Sequence, residues 1–202
     1  MNVVIHNLFP IPVVQLRYDG ITNKDLDTVK LYSDQVNINT GNRVTKETYV
    51  LDKSFPELRQ FIDDAVRQYS ENIICPNDSV LFKITQSWLN YTSPGGSHHK
   101  HKHMNSIISG VFYFSAGNMD RIYFNNEVLS SRDIAIPPVK PNLYNSMNWW
   151  LPVKTGDLLL FPSHLRHYVA PVEGNSERIS LAFNVFASGD FGDQTSLTAL
   201  TV

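Results

Sequence analysis

The second half of the chain is a series of short β-like runs separated by turn residues, and this pattern limits the possible folds more than any other feature. The runs are rich in β-branched, aromatic and aliphatic residues, as strands are. Turn sequences such as Pro94-Gly95-Gly96 and Thr155-Gly156-Asp157 divide them at short intervals. Many short strands with turns between them are typical of a sandwich or a double-sheet barrel. The runs are residues 81–91, 110–115, 121–124, 149–153, 157–161, 167–172 and 179–186.

Helical signals lie before residue 80. Apolar residues recur at spacings of three and four over residues 55–73, which predicts an amphipathic helix. A weaker pattern predicts a helix from Lys24 to Ser33, with Asn23 as its N-cap. Residues 3–16 are rich in valine but contain two prolines, so we expect an edge strand there.

Composition indicates one globular domain without an obvious polyanionic partner. The chain has 202 residues, of which 42% are hydrophobic and 18% charged. The net charge of −2 gives no electrostatic reason to expect a nucleic acid or an acidic membrane surface. No run approaches the roughly 20 apolar residues of a membrane span, and the first residues lack the pattern of a secretory signal. We expect a cytoplasmic protein with neither a nucleic-acid nor a membrane partner, and the sequence carries no signal for an oligomeric state.

The domain boundaries follow from the same patterns. We expect a single domain over residues 1–187, in which an N-terminal strand and helices (1–79) precede a β core at about 80–187, followed by a polar tail at 188–202. Residues 125–148 contain three prolines and are too long for a plain hairpin, so we expect them to form a lid over a substrate. The single cysteine, Cys75, excludes an internal disulfide, and we expect it to be buried.

Six of the seven histidines fall in two clusters, which are the strongest signal for chemistry. The first holds His98, His99, His101 and His103, and the second holds His164 and His167. On an extended chain, residues i and i+2 point to the same side, so His101 and His103 can face one point, as can His99 and His101. Two ligands close together and a distant third, His167, form the pattern of a three-ligand metal site with open positions, which suits Fe(II).

Three segments together resemble the 2-oxoglutarate and Fe(II)-dependent oxygenase superfamily. They are NYTSPGGSHHKHKHMNSIISGVFYF, GDLLLFPSHLRHYVAPV and ERISLAFNVF, within residues 80–187. The resemblance is to its prolyl-hydroxylase-like branch, and within that to bacterial and phage members. It implies that the metal ligands are His101, His103 and His167, with His101 preferred to His99 because it follows the Gly-Gly pair at the family's spacing. It further implies that Arg178, Ser180 and Tyr91 bind 2-oxoglutarate.

One position departs from the family pattern. Most members have an acidic ligand where this chain has His103, so three neutral imidazoles would leave the iron more positively charged. Two alternatives remain open: His103 takes the first histidine's role with Asn105 in the acid's place, or a distant acid such as Asp120 completes the shell. A structural metal site made of the same histidines is a third. Arg178 could also form an ordinary ion pair with Glu173 or Glu177.

The resemblance implies a fold and a function. We expect a mainly β, double-stranded β-helix (a cupin-like jelly roll) with about eight strands and the helix 55–73 packed outside one sheet. We expect a dioxygenase that uses Fe(II) and 2-oxoglutarate to hydroxylate a substrate, with a peptidyl side chain such as proline favoured over a small metabolite, a lipid or a nucleobase. The alternative is a non-catalytic jelly-roll binding module. The resemblance places the protein in the cytoplasm of a bacterium or of a phage-infected cell.

Overall fold

A computed structural model describes residues 1–130, 134 and 136–202. Its described strands form two main antiparallel sheets that face each other, as expected for a double-stranded β-helix. The strands are β1 Val14–Arg17, β2 Val36–Asn39, β3 Asn42–Thr45, β4 Leu81–Thr92, β5 His98–His101, β6 Ile108–Ser115, β7 Arg121–Asn125, β8 Asn148–Pro152, β9 Asp157–Pro162, β10 His167–Val169, β11 Arg178–Ser188, β12 Asp190–Phe191 and β13 Leu200–Thr201. The helices are α1 Asn23–Tyr32, α2 Val50–Ser54, α3 Pro56–Tyr69 and α4 Glu127–Ser130, with a π-helical turn at Ser70–Ile74.

The larger sheet has the order β1-β9-β6-β11-β4-β3-β2, and the smaller has β5-β10-β7-β8. Side chains alternate between the two faces of each strand, so β11 sends Leu181 and Phe183 toward the helices and Arg178 and Ser180 to the interior between the sheets. The helix-side core includes Leu58 and further residues of α3. A second, smaller core fills the interior; it comprises Val111, Tyr113, Ile122, Phe124, Val153, Leu159, Phe161 and Leu165.

The predicted helices are confirmed, with differences at their ends. The segment 55–73 forms α3, with Pro56 in its first turn, and continues into the π-helical turn. The helix predicted at 24–33 is α1, which starts at Asn23 and has Thr22 as its N-cap. The Thr22 side chain accepts from the Asp25 backbone, and the Asp25 carboxylate accepts from the Thr22 backbone. This capping box satisfies two backbone donors at once, which a cap at Asn23 would not do.

Several local expectations were wrong. The expected strand at 3–16 is shorter and ends one residue later, at Val14–Arg17, although it does lie at a sheet edge. The hairpin of β2 and β3 was not predicted. Within the tail at 188–202, which was expected only to be polar, β12 pairs with β13. Cys75 is exposed, in a left-handed backbone conformation at the end of the π-helical turn.

The long connection 125–148 is described only in part. It begins with α4, and residues 131–133 and 135 lie outside the described residues. Its assignment as a substrate lid stays a prediction. Among the described residues, no helix is long and apolar enough to cross a membrane.

Candidate metal and cofactor site

Strand pairing in the smaller sheet brings the distant histidines together. β10 runs antiparallel to β5 with His167 directly opposite His101, although 66 residues separate them in the chain. His103 lies two residues beyond His101, and one nitrogen from each of the three rings lies within 4.8 Å of the others. The structure therefore gathers His101, His103 and His167, the set that the resemblance implied.

Each of the three rings donates a hydrogen bond from Nδ1. His101 Nδ1 lies 2.8 Å from the carbonyl oxygen of His99, and His167 Nδ1 lies 3.1 Å from that of Leu165. His103 Nδ1 bonds to the side-chain oxygen of Asn184. An oxygen acceptor requires a proton on Nδ1, so a neutral ring carries its free lone pair on Nε2. Metal-binding histidines are held in the same way by outer hydrogen bonds.

Burial keeps these rings uncharged. It lowers the pKa of His101 and His103, and it lowers the pKa of His167 well below the usual range, with the neighbouring His101 adding to the effect. Only a neutral imidazole has a lone pair for a metal ion. Three neutral imidazoles with three fixed Nδ1–H groups therefore fit a divalent metal such as Fe(II), and they leave its remaining positions open.

Arg178 lies in the interior at the start of β11 and is 3% exposed. Its guanidinium donates to the Arg121 carbonyl oxygen at 2.8 Å and to the Tyr113 hydroxyl at 3.2 Å. The Asp120 carboxylate lies 3.9 Å away. The alternative ion pair between Arg178 and Glu177 is therefore wrong, because Glu177 pairs with Arg43 at 2.7 Å. A buried guanidinium with such partners is suited to bind a carboxylate.

The other predicted cofactor residues divide between the two faces of the sheet. Ser180 is buried and follows Arg178 by two residues, so it shares the interior face. Tyr91 does not: it packs in the helix-side core, and its hydroxyl donates to the Val29 carbonyl oxygen at 2.6 Å. The expectation that Tyr91 binds 2-oxoglutarate is therefore corrected. Tyr113, next to Arg178, does face the interior.

The alternative ligands lie elsewhere. Asn105 is exposed and has a left-handed backbone (φ 52°), and Asp120 accepts a hydrogen bond from the Gly117 backbone at 2.8 Å beside Arg178. Among the described residues, the histidine groups contain neither. The sequence reasoning also missed Asn184, which lies six residues after Arg178 on β11. The even spacing within the strand was its only signal.

A cavity of about 300 Å³ opens beside the histidines. The carboxamides of Asn39, Asn90 and Asn184 and the indole of Trp88 line it, together with His98, His101 and His103. The described lining contains no carboxylate. The described lining also includes the cation Lys102, so the site combines a metal-binding group with a polar space next to it that lacks a carboxylate.

A jelly roll with three inward-facing histidines defines the class of cupin-like metal proteins. A family model described as "Putative 2OG-Fe(II) oxygenase" matches residues 86–184, which include all three histidines and Arg178. Over these residues the chain matches the 2-oxoglutarate and Fe(II)-dependent oxygenases: it is an oxygenase, and its cofactors are Fe(II) and 2-oxoglutarate. No curated protein sequence matches the chain.

Solved structures share the fold. An oxidoreductase of the 2OG-Fe(II) oxygenase family from Burkholderia pseudomallei is 14% identical with a TM-score of 0.56, covering 86% of this chain and 84% of its own. A prolyl hydroxylase from Trichoplax adhaerens, in complex with a peptide fragment of the hypoxia inducible factor, is 11% identical with a TM-score of 0.59, covering 86% and 83%. HygX from Streptomyces hygroscopicus, with nickel, 2-oxoglutarate and hygromycin B bound, is 10% identical with a TM-score of 0.55, covering 87% and 83%. At these identities the likeness shows the fold alone.

Proposed function

We propose that the protein is a hydroxylase in which His101, His103 and His167 hold Fe(II). The observation that carries this is the shared state of the three rings: His167 is buried and His101 and His103 are partly buried, each is neutral, and each donates from Nδ1 so that Nε2 is free. A structural zinc site usually has four protein ligands. Among the described residues this group has three, which leaves room for a cofactor and oxygen.

Arg178 is proposed to bind the distal carboxylate of 2-oxoglutarate, with Ser180 and Tyr113 beside it. Arg178 and Ser180 lie on the interior face of β11, and Asn184, which bonds to His103, lies further along the same strand. A cofactor with a chelating end and a carboxylate end would therefore lie along this face. Bound Fe(II) and 2-oxoglutarate supply the oxidation, in which oxygen converts the cofactor to succinate and carbon dioxide and hydroxylates a C–H bond.

The proposed substrate is a peptidyl side chain such as proline. The three carboxamides in the cavity each offer a donor and an acceptor, which matches the peptide group, and Trp88 offers an apolar surface. The prolyl hydroxylase among the similar folds supports this only by analogy. The connection 125–148 is proposed to cover the substrate.

Anaerobic reconstitution tests the function. The metal-free protein is loaded with one equivalent of Fe(II) and titrated with 2-oxoglutarate, and the visible band of the chelate is followed. Air is then admitted, and succinate is measured with and without pools of proline-containing peptides. We expect a saturable band, slow succinate formation alone and faster formation with a peptide. The absence of both band and succinate would contradict the oxygenase function, whereas stimulation by small metabolites and not by peptides would contradict only the substrate.

A further inference from the structure

Proximity alone does not decide which histidines hold the metal. Two groups of three meet the distance condition: His98, His99 and His101, and His101, His103 and His167. The rings of His98 and His101 stack with their centroids 4.5 Å apart, which is close to the 4.4 Å between the rings of His101 and His167 in the proposed ligand set. His101 belongs to both groups, and because its Nδ1 is bound to the His99 carbonyl, it has a single free nitrogen. The two groups therefore compete for one metal ion.

The side-chain oxygen of Asn184 determines the tautomer of His103. Asn184 lies on β11, across the interior from β5, and its Oδ1 accepts from His103 Nδ1. The backbone carbonyls of His99 and Leu165 do the same for His101 and His167. Among the described residues, His103 Nδ1 has no backbone acceptor, so the orientation of this ring depends on the Asn184 side chain, which a substitution can change.

Asn42 has the opposite effect on His98. Its side-chain nitrogen lies 3.4 Å from His98 Nδ1 and 3.5 Å from the side-chain oxygen of Asn90. Asn42 turns its NH₂ toward the side-chain oxygen of Asn90, and its own side-chain oxygen is buried without a hydrogen-bond partner among the described residues. The same NH₂ therefore faces His98 Nδ1, which must accept. A neutral His98 then carries its proton on Nε2, where it has no lone pair for a metal.

We propose that two asparagines, Asn42 and Asn184, fix the tautomers of His98 and His103, so that His103 binds the metal and His98 does not. This rests on the proposed metal site. Asn184 supports the imidazole that stands where most of the superfamily has an acid. His98, which lines the cavity, is left with an Nε2–H group that can donate a hydrogen bond to a substrate oxygen.

Nitrogen-15 spectra of the histidine rings test these tautomers in the metal-free, full-length protein. Two-bond proton–nitrogen correlations distinguish protonated from unprotonated ring nitrogens, and single histidine substitutions assign the signals. We expect Nδ1–H for His101, His103 and His167, and Nε2–H for His98. Finding Nδ1–H at His98, or Nε2–H at His103, would overturn the proposal. This measurement needs no turnover, so its failure is distinguishable from failure of the oxygenase function, which succinate formation reports.

Metal affinity of Asn184 variants tests the consequence. Loss of an outer hydrogen bond to a ligating histidine typically lowers metal affinity about 10- to 100-fold. We expect this for Asn184→Leu in a Zn²⁺ competition titration, and near wild-type affinity for Asn184→Asp, because a carboxylate also accepts from Nδ1. Asn39→Leu, in the same cavity, is the matched control and should leave affinity unchanged. Equal affinity of wild type and the folded Asn184→Leu protein would overturn the role of Asn184.

Asn42→Asp tests the proposed effect of Asn42 on the tautomer of His98. A carboxylate in place of the NH₂ favours a proton on His98 Nδ1 and so frees Nε2. We expect the His98 nitrogen signals to exchange their protonation states and the absorption bands of bound Co²⁺ to shift. His98→Gln in the same background should restore the wild-type bands. Unchanged His98 signals in the folded Asn42→Asp protein would show that Asn42 does not determine the tautomer.

Discussion

The guanidinium of Arg178 lies 3.9 Å from the carboxylate of Asp120, with side chains only 3% and 4% exposed. The two groups attract each other without a direct hydrogen bond, because Asp120 accepts from the Gly117 backbone and Arg178 donates to Tyr113 and to the Arg121 carbonyl. Asp120 therefore compensates the buried cation before a cofactor arrives. A bound dicarboxylate would place a second negative charge near the first.

Asp120→Asn should separate stability from affinity. Removing one partner of a buried ion pair leaves the other uncompensated and costs about 3 kcal/mol or more, so the cofactor-free protein should unfold at lower denaturant concentration. The same change removes a repulsion, so 2-oxoglutarate should bind the metal-loaded protein more tightly. Chemical denaturation and anaerobic titration measure the two effects.

Glu177→Gln is the matched control, since Glu177 precedes Arg178 but bonds to Arg43. It should leave cofactor affinity unchanged. Weaker binding in Asp120→Asn would mean that Asp120 acts by orienting Arg178 rather than by competing for it.

Arg178 itself should determine affinity for 2-oxoglutarate. Truncating one partner of a desolvated charge pair costs about 2 to 5 kcal/mol, which corresponds to roughly 30-fold to several-thousand-fold weaker binding for Arg178→Ala. Arg178→Lys should fall between, because an ammonium cannot form the paired hydrogen bonds. The chelate band during titration measures both, and metal affinity should hardly change. An Arg178→Ala protein that binds as tightly as wild type would show that the carboxylate binds elsewhere.

Two tyrosines provide a paired test of which face of the sheet holds the cofactor. Tyr113→Phe removes a hydroxyl that accepts from Arg178 and whose own proton can donate to the proposed cofactor carboxylate. A hydrogen bond to a charged group is worth about 1.5 to 3 kcal/mol, so 2-oxoglutarate should bind about 10- to 150-fold more weakly. Tyr91→Phe removes the bond to the Val29 carbonyl and should cost about 1 kcal/mol of stability with no change in affinity. The reverse result would restore the original expectation for Tyr91.

Alanine substitutions distinguish the metal ligands from the alternative set. His101→Ala, His103→Ala and His167→Ala should each abolish or greatly weaken Fe(II) binding after anaerobic reconstitution. Asn105→Ala should retain it, because that side chain is exposed. Metal content per protein, measured after desalting, reports the outcome. Metal loss in Asn105→Ala with retention in His103→Ala would support the shifted ligand assignment instead.

The histidine cluster should make the metal-free protein sensitive to mild acid. Burial lowers the pKa of His98 to about 3 and also lowers those of His101, His103 and His167. Unfolded histidines bind protons near pH 6.5, so below that value the unfolded chain binds more protons than the folded one. The contribution of these neutral histidines to the free energy of unfolding is fully present above about pH 6.5 and is lost as the pH falls.

Thermal unfolding at about pH 7.5 and pH 5 measures this dependence, at pH values above the ordinary range of carboxyl groups. The midpoint should be lower at pH 5, and His98→Gln should reduce the difference. A midpoint that is equal or higher at pH 5 would contradict the burial of neutral rings.

Much of the fold could be predicted because its signals are local. Alternating apolar residues and glycine turns mark strands wherever those strands pair, and the three- and four-residue periodicity marks α3. The hairpin of β2 and β3 was missed because its short strands, VNIN and NRVT, are rich in asparagine and lack an apolar alternation. They are strands because β3 pairs with β4, which is a tertiary contact.

The three histidines proposed to hold the metal could be selected from the sequence because two of them lie two residues apart and because the resemblance to the oxygenase family favours His101 and His167. Tyr91 was misassigned although its strand was predicted correctly. The alternation of side chains along a strand predicts that Asn90 and Tyr91 point to opposite faces of β4, but it does not predict which face is the interior. That choice depends on where the helices pack.

Local patterns in the amino-acid sequence were thus sufficient for the kind of fold, the three histidines and Arg178. Tertiary structure alone decided the partners of those residues: Asp120 and Tyr113 for Arg178, Asn184 for His103 and Asn42 for His98. These partners lie 56 to 81 residues away from the groups they contact. Such contacts follow from the order and register of strands, which are set by the packing of the whole chain.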